Sequence, residues 1–179
     1  MQFFLLLGAF ALLLLLGFPL LFLSGEKQGR VAFDEPIELP FAIEPHKRVA
    51  LLYLGYVGCQ SICMPSLQES AQMFAELNAS SVAFYFVNIS KEGVGAKEFA
   101  SFFHQDFIGV QPLPKERAAL MQSLRAYSSD ALMPGGDIYH TGYLYLISNK
   151  KGQARLKAMY YTRPFDAASI ISDIKKELQ

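Results

Sequence analysis

The sequence has only two cysteines and no excess of either charge over its 179 residues. Two cysteines are too few for a disulfide scaffold, so they indicate either a redox switch or a metal site. Lysine plus arginine and aspartate plus glutamate number sixteen each. That balance argues against a nucleic-acid partner, because such a partner would require a clustered basic surface.

Charged side chains are also absent from residues 3–23, which are mostly leucine and phenylalanine. As a helix this segment would be roughly 31 Å long, close to a hydrocarbon core of about 30 Å. A secretory signal has a shorter apolar core of about 7–15 residues, a basic start and a small-residue cleavage site, and this segment has none of these. We therefore expect residues 1–23 to form one uncleaved transmembrane helix, followed by a linker and irregular lead-in over 24–48.

Charge does not decide the orientation of this predicted anchor. Lys27 and Arg30 follow the apolar segment, and no lysine or arginine precedes it. Applied literally, the rule that basic residues stay inside would leave the domain in the cytoplasm. Two basic residues give that rule little weight, so both orientations stay open at this point.

Apolar runs and helical periodicities predict one α/β domain over residues 49–179. Continuous runs of β-branched and aromatic residues indicate buried strands, whereas apolar residues at helical spacing indicate amphipathic helices. The predicted order is β-α-β-α-α-β-β-α, which is thioredoxin-like: a mixed sheet flanked by helices. The predicted strands are Val49–Val57, Val82–Ile89, Tyr143–Ser148 and Ala154–Tyr161, and the predicted helices are 65–77, 96–104, 114–127 and Phe165–Leu178.

The two cysteines, Cys59 and Cys63, stand four residues apart directly after the first predicted strand. A strand-to-helix turn is the usual ligand position in open α/β sheets, and a helix N-terminus lowers the pKa of a nearby thiol. Pro65 is tolerated only in a first helical turn. The regular helix is therefore expected to begin at Pro65, which leaves both cysteines in a loop or a single turn.

A third candidate ligand is His140, which follows a Pro-Gly-Gly loop some eighty residues downstream. The predicted topology places this region beside the N-terminus of the first helix. Thiolates suit Cu(I), and imidazole suits copper as well as zinc. The pattern therefore predicts a three-ligand site of Cys59, Cys63 and His140, whereas His46 and His104 are interpreted as ordinary surface residues.

Three further side chains have less specific interpretations. Met64 and Met133 are soft donors, but methionine more often fills gaps in a core, so neither is included in the ligand set. Asp137 could orient His140 through a hydrogen bond, as carboxylates often do beside ligating imidazoles. It could equally form a turn, and the turn is slightly favoured.

In these features the chain resembles the Sco/SenC family of membrane-anchored copper-binding proteins that assist cytochrome c oxidase assembly. The matching segments are GCQSICMP at 58–65, FIGV at 107–110, RAY at 125–127 and YHTGYLYLI at 139–147. The resemblance covers residues 48–179 and is compatible with an N-terminal anchor. It implies a thioredoxin-like fold, copper as the bound ion, Cys59 and Cys63 as thiolate ligands and His140 as the imidazole ligand.

The chain departs from the family pattern at several positions. Gln60 follows the first cysteine where relatives have proline, and the second proline is displaced to Pro65. Asn88 stands where relatives carry an acidic residue, and the lead-in before residue 48 is shorter and lacks the usual strand-rich beginning. The ligand set is intact, but the client oxidase is not specified.

Two functions follow from these residues. The favoured hypothesis is a copper chaperone that delivers copper to the copper A site of a cytochrome c oxidase subunit, with a copper-loading protein as a second partner. The alternative is a tethered thiol–disulfide oxidoreductase, in which Cys59 and Cys63 reduce the cysteines of the client. Proteins dedicated to that chemistry more often use C-x-x-C, so enzymatic activity is not the favoured interpretation. A membrane-tethered scaffold with a vestigial pair is the least favoured.

The resemblance also predicts a location. It implies a domain that faces the bacterial periplasm or the mitochondrial intermembrane space. The short chain and the absence of a transit segment favour a bacterial inner membrane, crossed once, with the domain in the periplasm.

Overall fold

The computed structural model describes residues 29–77, 80–90, 95–132 and 137–179. The predicted anchor over 1–23, the first part of the linker and Met133 lie outside the described residues. Within the described ranges, no helix has both the length and the apolar character needed to cross a bilayer.

Eight strands and four helices make up the described part of the chain. The strands are β1 (Arg30–Pro36), β2 (Val49–Gly55), β3 (Val82–Asn88), β4 (Phe107–Val110), β5 (Ser128–Leu132), β6 (Ile138–His140), β7 (Leu144–Lys150) and β8 (Gln153–Tyr160). The helices are α1 (Cys63–Ala75), α2 (Ala96–Phe103), α3 (Pro114–Ser123) and α4 (Ala167–Leu178).

Six of the strands form one mixed sheet in the order β1-β8-β7-β2-β3-β4. Strands β2, β3 and β4 are parallel, whereas β7 is antiparallel to β2 and β8 is antiparallel to both β7 and β1. Every residue of β2 and β3 is buried, which explains why both strands, apart from Asn88 at the end of β3, are apolar rather than alternating. This mixed sheet flanked by helices confirms the predicted α/β class and is consistent with a thioredoxin-like fold.

Four strands were not predicted. Strand β1 lies within the lead-in that was expected to be irregular, and it is an edge strand that pairs only with β8. Strand β4 has four residues, and β5 and β6 form a separate two-stranded sheet. Such strands depend on distant pairing partners rather than on a strong local pattern, so periodicity alone does not reveal them.

A buried carboxylate links β1 to the rest of the domain. Asp173 of α4 is 5% exposed; it accepts hydrogen bonds from Arg30 Nε at 2.6 Å and from the Tyr160 hydroxyl at 2.8 Å. These contacts join β1, β8 and α4, so the edge strand is held by side chains as well as by its ladder.

Each helix differs from its predicted bounds by one to four residues, most clearly at two places. Helix α1 begins at Cys63 rather than at Pro65. Pro65 is the third residue of this helix, where a backbone amide has no intrahelical acceptor, so the missing N–H of proline costs no hydrogen bond. Helix α3 ends at Ser123 instead of reaching residue 127, and Arg125 adopts a φ of 55° as the chain turns toward β5. The hairpin of β5 and β6 then carries His140 to the end of the sheet where β2 leads into α1.

Candidate metal centre

The structure brings all three predicted ligands together. His140 Nε2 lies 3.6 Å from Cys59 Sγ and 3.5 Å from Cys63 Sγ. The three donor atoms all lie within 4.8 Å of one another, and the three residues form the one cluster of this kind among the described residues. Both cysteines are free thiols rather than a disulfide.

These distances fit a single shared metal ion. A thiolate sulfur and an imidazole nitrogen bound to one first-row metal, at about 2.3 Å and 2.0 Å, stand roughly 3.5–3.8 Å apart at tetrahedral to trigonal angles. The Sγ–Nε2 separations of 3.5 and 3.6 Å are in that range. Two thiolates and one imidazole form a soft donor set, which suits Cu(I) or zinc better than magnesium or calcium.

The loop from β2 into α1 positions the two sulfurs. The Cys59 amide donates to the Tyr56 carbonyl at 3.2 Å, and Gly58 takes a φ of 93°, so the chain turns sharply just before Cys59. The Cys63 amide then donates to Cys59 Sγ at 3.3 Å. The first cysteine therefore accepts a hydrogen bond from an amide at the helix N-terminus, where such donors lack an intrahelical partner.

Gly55, the last residue of β2, leaves room for the second sulfur. A Cβ built on Gly55 would stand 2.7 Å from Cys63 Sγ and 3.1 Å from ring atoms of Tyr53 and Phe86. Only glycine therefore fits at this position without moving Cys63. Because a strand interior gains nothing else from glycine, this residue is explained by the site rather than by the sheet.

Hydrogen bonding makes Cys59 the acidic member of the pair. A hydrogen bond from the Cys63 side chain, another from His140 and the amides of Ile62 and Cys63 lower the pKa of Cys59 to about 4, against an opposing effect of burial. Cys59 is therefore a thiolate at neutral pH in the metal-free protein.

Cys63 has the opposite character. Burial raises the pKa of Cys63, and the hydrogen bond and negative charge of Cys59 raise it further. Tyr53 lies beside this sulfur, and its hydroxyl donates to the Ile62 carbonyl at 3.4 Å. Burial is the main cause that raises the pKa of Tyr53, so this phenol stays neutral. The metal-free pair is thus one thiolate and one thiol.

The imidazole of His140 lacks the hydrogen bond that usually orients a metal-binding histidine. Its Nδ1 atom is buried, and it has no hydrogen-bond partner among the described residues. A ligating histidine ordinarily donates this N–H to a carboxylate or a carbonyl. The ring instead packs edge-on against Tyr56, with centroids 5.5 Å apart and planes at 80°.

Asp137 bonds to the cysteine loop and not to His140. One carboxylate oxygen accepts from the Ser61 amide at 3.1 Å, and the other accepts from the Tyr56 hydroxyl. Hydrogen bonds from Ser61 and Tyr56 lower the pKa of Asp137. The suggested hydrogen bond to His140 is therefore wrong; the turn that was slightly favoured would involve residues outside the described ranges.

The segment after His140 is held by a residue that the sequence did not single out. Arg163 donates from Nη1 to the carbonyls of Thr141 at 3.1 Å and Gly142 at 2.9 Å. Gly142 takes a φ of 57°, and a Cβ there would stand 2.8 Å from that same nitrogen and from Ile62. Arg163 lies in the turn after β8, and neither its position nor its chemistry indicates the site in the sequence.

The other candidate residues differ in burial and in their contacts. His46 is exposed, as expected, but His104 is partly buried and packs against the rings of Phe74 and Phe107, so its assignment to the ordinary surface is wrong. Asn88 is fully buried at the end of β3, where its amide donates to Gln111 Oε1 at 2.7 Å and its carbonyl accepts from the Ser90 amide. Met64 is half-buried at the start of α1.

Solved structures of other proteins share this fold, among them three Sco proteins. The apo Sco1 protein from Thermus thermophilus has a TM-score of 0.63 and 21% identity, covering 82% of this chain and 94% of that protein. Copper-bound ScoI from Arabidopsis thaliana has a TM-score of 0.60 and 22% identity, covering 75% and 86%. Copper-bound ScoI from Bradyrhizobium japonicum has a TM-score of 0.59 and 21% identity, covering 82% and 99%. At these identities the likeness establishes the fold alone.

The family follows from the sequence match. No curated protein sequence matches the chain. The SCO1/SenC family model matches residues 43–179, which is most of the chain and includes Cys59, Cys63 and His140. The chain therefore belongs to the SCO1/SenC family.

Proposed function

We propose that this protein is a copper chaperone, which binds one copper ion through Cys59, Cys63 and His140 and delivers it to the copper A site of a cytochrome c oxidase subunit. The observation that carries this proposal is the convergence of three soft donors from distant parts of the chain. His140 Nε2 lies within 3.6 Å of both sulfurs before any metal is bound.

Three arguments favour copper among the metals that this donor set accepts. Thiolates select Cu(I) strongly, and copper forms tighter complexes than zinc with most nitrogen and sulfur sites. The related ScoI proteins of Arabidopsis thaliana and Bradyrhizobium japonicum have been solved with copper bound. Structural zinc sites have four protein ligands, whereas this cluster offers three.

A centre with three protein ligands is suited to the transfer of copper to a client protein. An incoming thiolate or imidazole of the client can add to copper before a ligand of the chaperone leaves. Cys59 is already ionised at neutral pH, so in the metal-free protein Cys63 is the thiol that must release a proton when copper binds.

The three ligands are buried rather than at the solvent edge. Cys59 and Cys63 are 0% exposed, and His140 is 6% exposed. The client therefore cannot reach the sulfurs until the segment that carries His140 moves away.

The membrane location is part of the same proposal. An apolar segment over 1–23 would tether the domain to a bacterial inner membrane, and a client that carries a copper A site would place the domain on the periplasmic side. An alkaline phosphatase fusion after Gln179 tests the orientation. An active fusion is expected, because the phosphatase requires export, whereas an inactive fusion of normal abundance would contradict the periplasmic location.

The alternative function is reduction of the client's cysteines. The contrast between an acidic Cys59 and a buried Cys63 with a raised pKa favours it, because thiol–disulfide exchange uses one reactive thiolate and one resolving thiol. In that exchange Cys59 would attack the client disulfide and Cys63 would then release the reduced client, leaving a Cys59–Cys63 disulfide.

A transfer experiment separates the two functions. The Cu(I)-loaded chain is mixed without oxygen with the reduced, metal-free copper A domain from the same genome. Movement of copper into that domain, measured by separating the proteins and assaying metal in each, is expected. A parallel reaction with metal-free chain and the oxidised domain measures disulfide reduction. Copper that stays on the chain, together with efficient disulfide reduction, would contradict the chaperone proposal and support the alternative.

A further inference from the structure

We propose that the Tyr56 hydroxyl holds the His140 arm closed over the two cysteines, and that this contact sets how fast copper leaves the site. The His140 arm is defined here as residues 137–142. This inference rests on the proposed copper function. Tyr56 would be a positioning residue, because its hydroxyl bonds the arm rather than the metal ligands.

The first observation is the hydrogen bonding of that hydroxyl. It donates to Asp137 and accepts from the Ile138 amide at 2.9 Å. Asp137 also accepts from the Ser61 amide at 3.1 Å. One hydroxyl and one carboxylate thus join three segments, which are the end of β2, the cysteine loop and the start of β6.

The second observation concerns what fixes the orientation of the His140 imidazole. Its Nδ1 atom is buried, with no hydrogen-bond partner among the described residues. The orientation of the imidazole must therefore come from its backbone and from packing. Tyr56 contributes to both, because its hydroxyl fixes the backbone two residues before His140 and its ring packs edge-on against the imidazole.

The third observation is that different side chains hold the two ends of the arm. The far end, at Thr141 and Gly142, is held by the Arg163 guanidinium. The near end, at Asp137 and Ile138, is held by the Tyr56 hydroxyl and the Ser61 amide. Because all three ligands are buried, copper can leave only after one end opens. Strand β6 of the arm is also paired with β5, so once the near end is broken the arm and β5 would move together about the attachment at Arg163.

The test uses Tyr56→Phe in the full chain, which keeps the aromatic ring and removes both hydrogen bonds. Transfer of Cu(I) to the chelator bicinchoninate is followed by stopped-flow absorbance. We expect transfer about tenfold faster than in the wild type, because each lost hydrogen bond costs enough to change a rate by roughly two- to tenfold. Asp137→Ala is expected to accelerate transfer similarly, and Asp137→Asn less, because it keeps an acceptor for Ser61.

A second readout needs no metal. Hydrogen exchange of the Ile138 amide, measured by NMR on the metal-free chain, is expected to accelerate about tenfold in Tyr56→Phe, because its acceptor is lost. Tyr85→Phe is the matched control. It removes the hydroxyl from another buried tyrosine, which stacks on Phe41 and whose hydroxyl bonds the backbone of Glu44.

The outcomes distinguish this inference from the proposed function. Faster exchange and faster copper transfer in Tyr56→Phe, with neither in Tyr85→Phe, would support it. Unchanged copper transfer in Tyr56→Phe, or equal acceleration in Tyr85→Phe, would overturn the inference while leaving the chaperone function standing. A wild-type chain that binds no copper would overturn both.

Discussion

Replacing His140 with alanine is expected to lower the affinity for Cu(I) by at least about a hundredfold, because even partners outside the ligand shell of a metal site contribute 10- to 100-fold. The imidazole supplies one of three donors, and its Nε2 atom lies within 3.6 Å of both sulfurs. Competition with a chromophoric Cu(I) chelator at fixed pH measures the change.

The same variant should keep its thiol chemistry. Cys59 and Cys63 remain on the loop and on the first residue of α1, so disulfide formation by the pair should persist in His140→Ala. His46→Ala is the matched control, since this exposed histidine pairs only weakly with Glu44 at 3.3 Å and should leave copper affinity unchanged. Copper affinity that is equal in His140→Ala and the wild type would exclude His140 from the site and favour the reductase function.

The second large effect concerns the two cysteines, which are expected to differ in reactivity but not in importance for copper. Cys59→Ser and Cys63→Ser should each lower copper affinity by at least about a hundredfold, because each removes a thiolate ligand. The metal-free variants should react very differently with iodoacetamide. The Cys63→Ser protein keeps Cys59, and the serine hydroxyl can still donate a hydrogen bond to it.

The pKa values of Cys59 and Cys63 predict which variant is alkylated faster and over which pH range. The pKa of Cys59 is lowered to about 4, so its thiolate form persists from neutral pH down to that value. Burial raises the pKa of Cys63, and this cause remains in Cys59→Ser. At pH 7 we expect alkylation of Cys63→Ser to be at least about 100-fold faster than that of Cys59→Ser. Equal rates, or a rate for Cys63→Ser that rises tenfold per pH unit between pH 6 and 8, would contradict the assignment.

The central part of the fold could be predicted from the sequence because its signals are local. Strands β2 and β3 are buried on both faces, so their sequences are uninterrupted apolar runs. Strand β1 could not be predicted in the same way. Its side chains are partly exposed, and β8 and the Asp173 carboxylate, both more than a hundred residues away, hold it in place.

The ligand set could also be predicted, whereas the residues around it could not. Cysteine and histidine are rare here and chemically distinctive, so their spacing after a strand was informative. Tyr56 and Asp137 are hydrogen-bonded although they lie 81 residues apart in the sequence. In the sequence alone, Tyr56 looks like an ordinary tyrosine at a strand end and Asp137 like an ordinary loop aspartate. Burial of the sulfurs was likewise not visible, because Asp137 and His140 reach the cysteine loop from about eighty residues away in the sequence.

The central claim is that one copper ion is shared by Cys59, Cys63 and His140. X-ray absorption spectroscopy of the full chain loaded with one equivalent of Cu(I) tests it most directly. The account predicts a three-coordinate copper with two sulfur scatterers and one imidazole nitrogen, and loss of the imidazole contribution in His140→Ala. A two-coordinate copper bound by sulfur alone, with a spectrum that His140→Ala leaves unchanged, would contradict it.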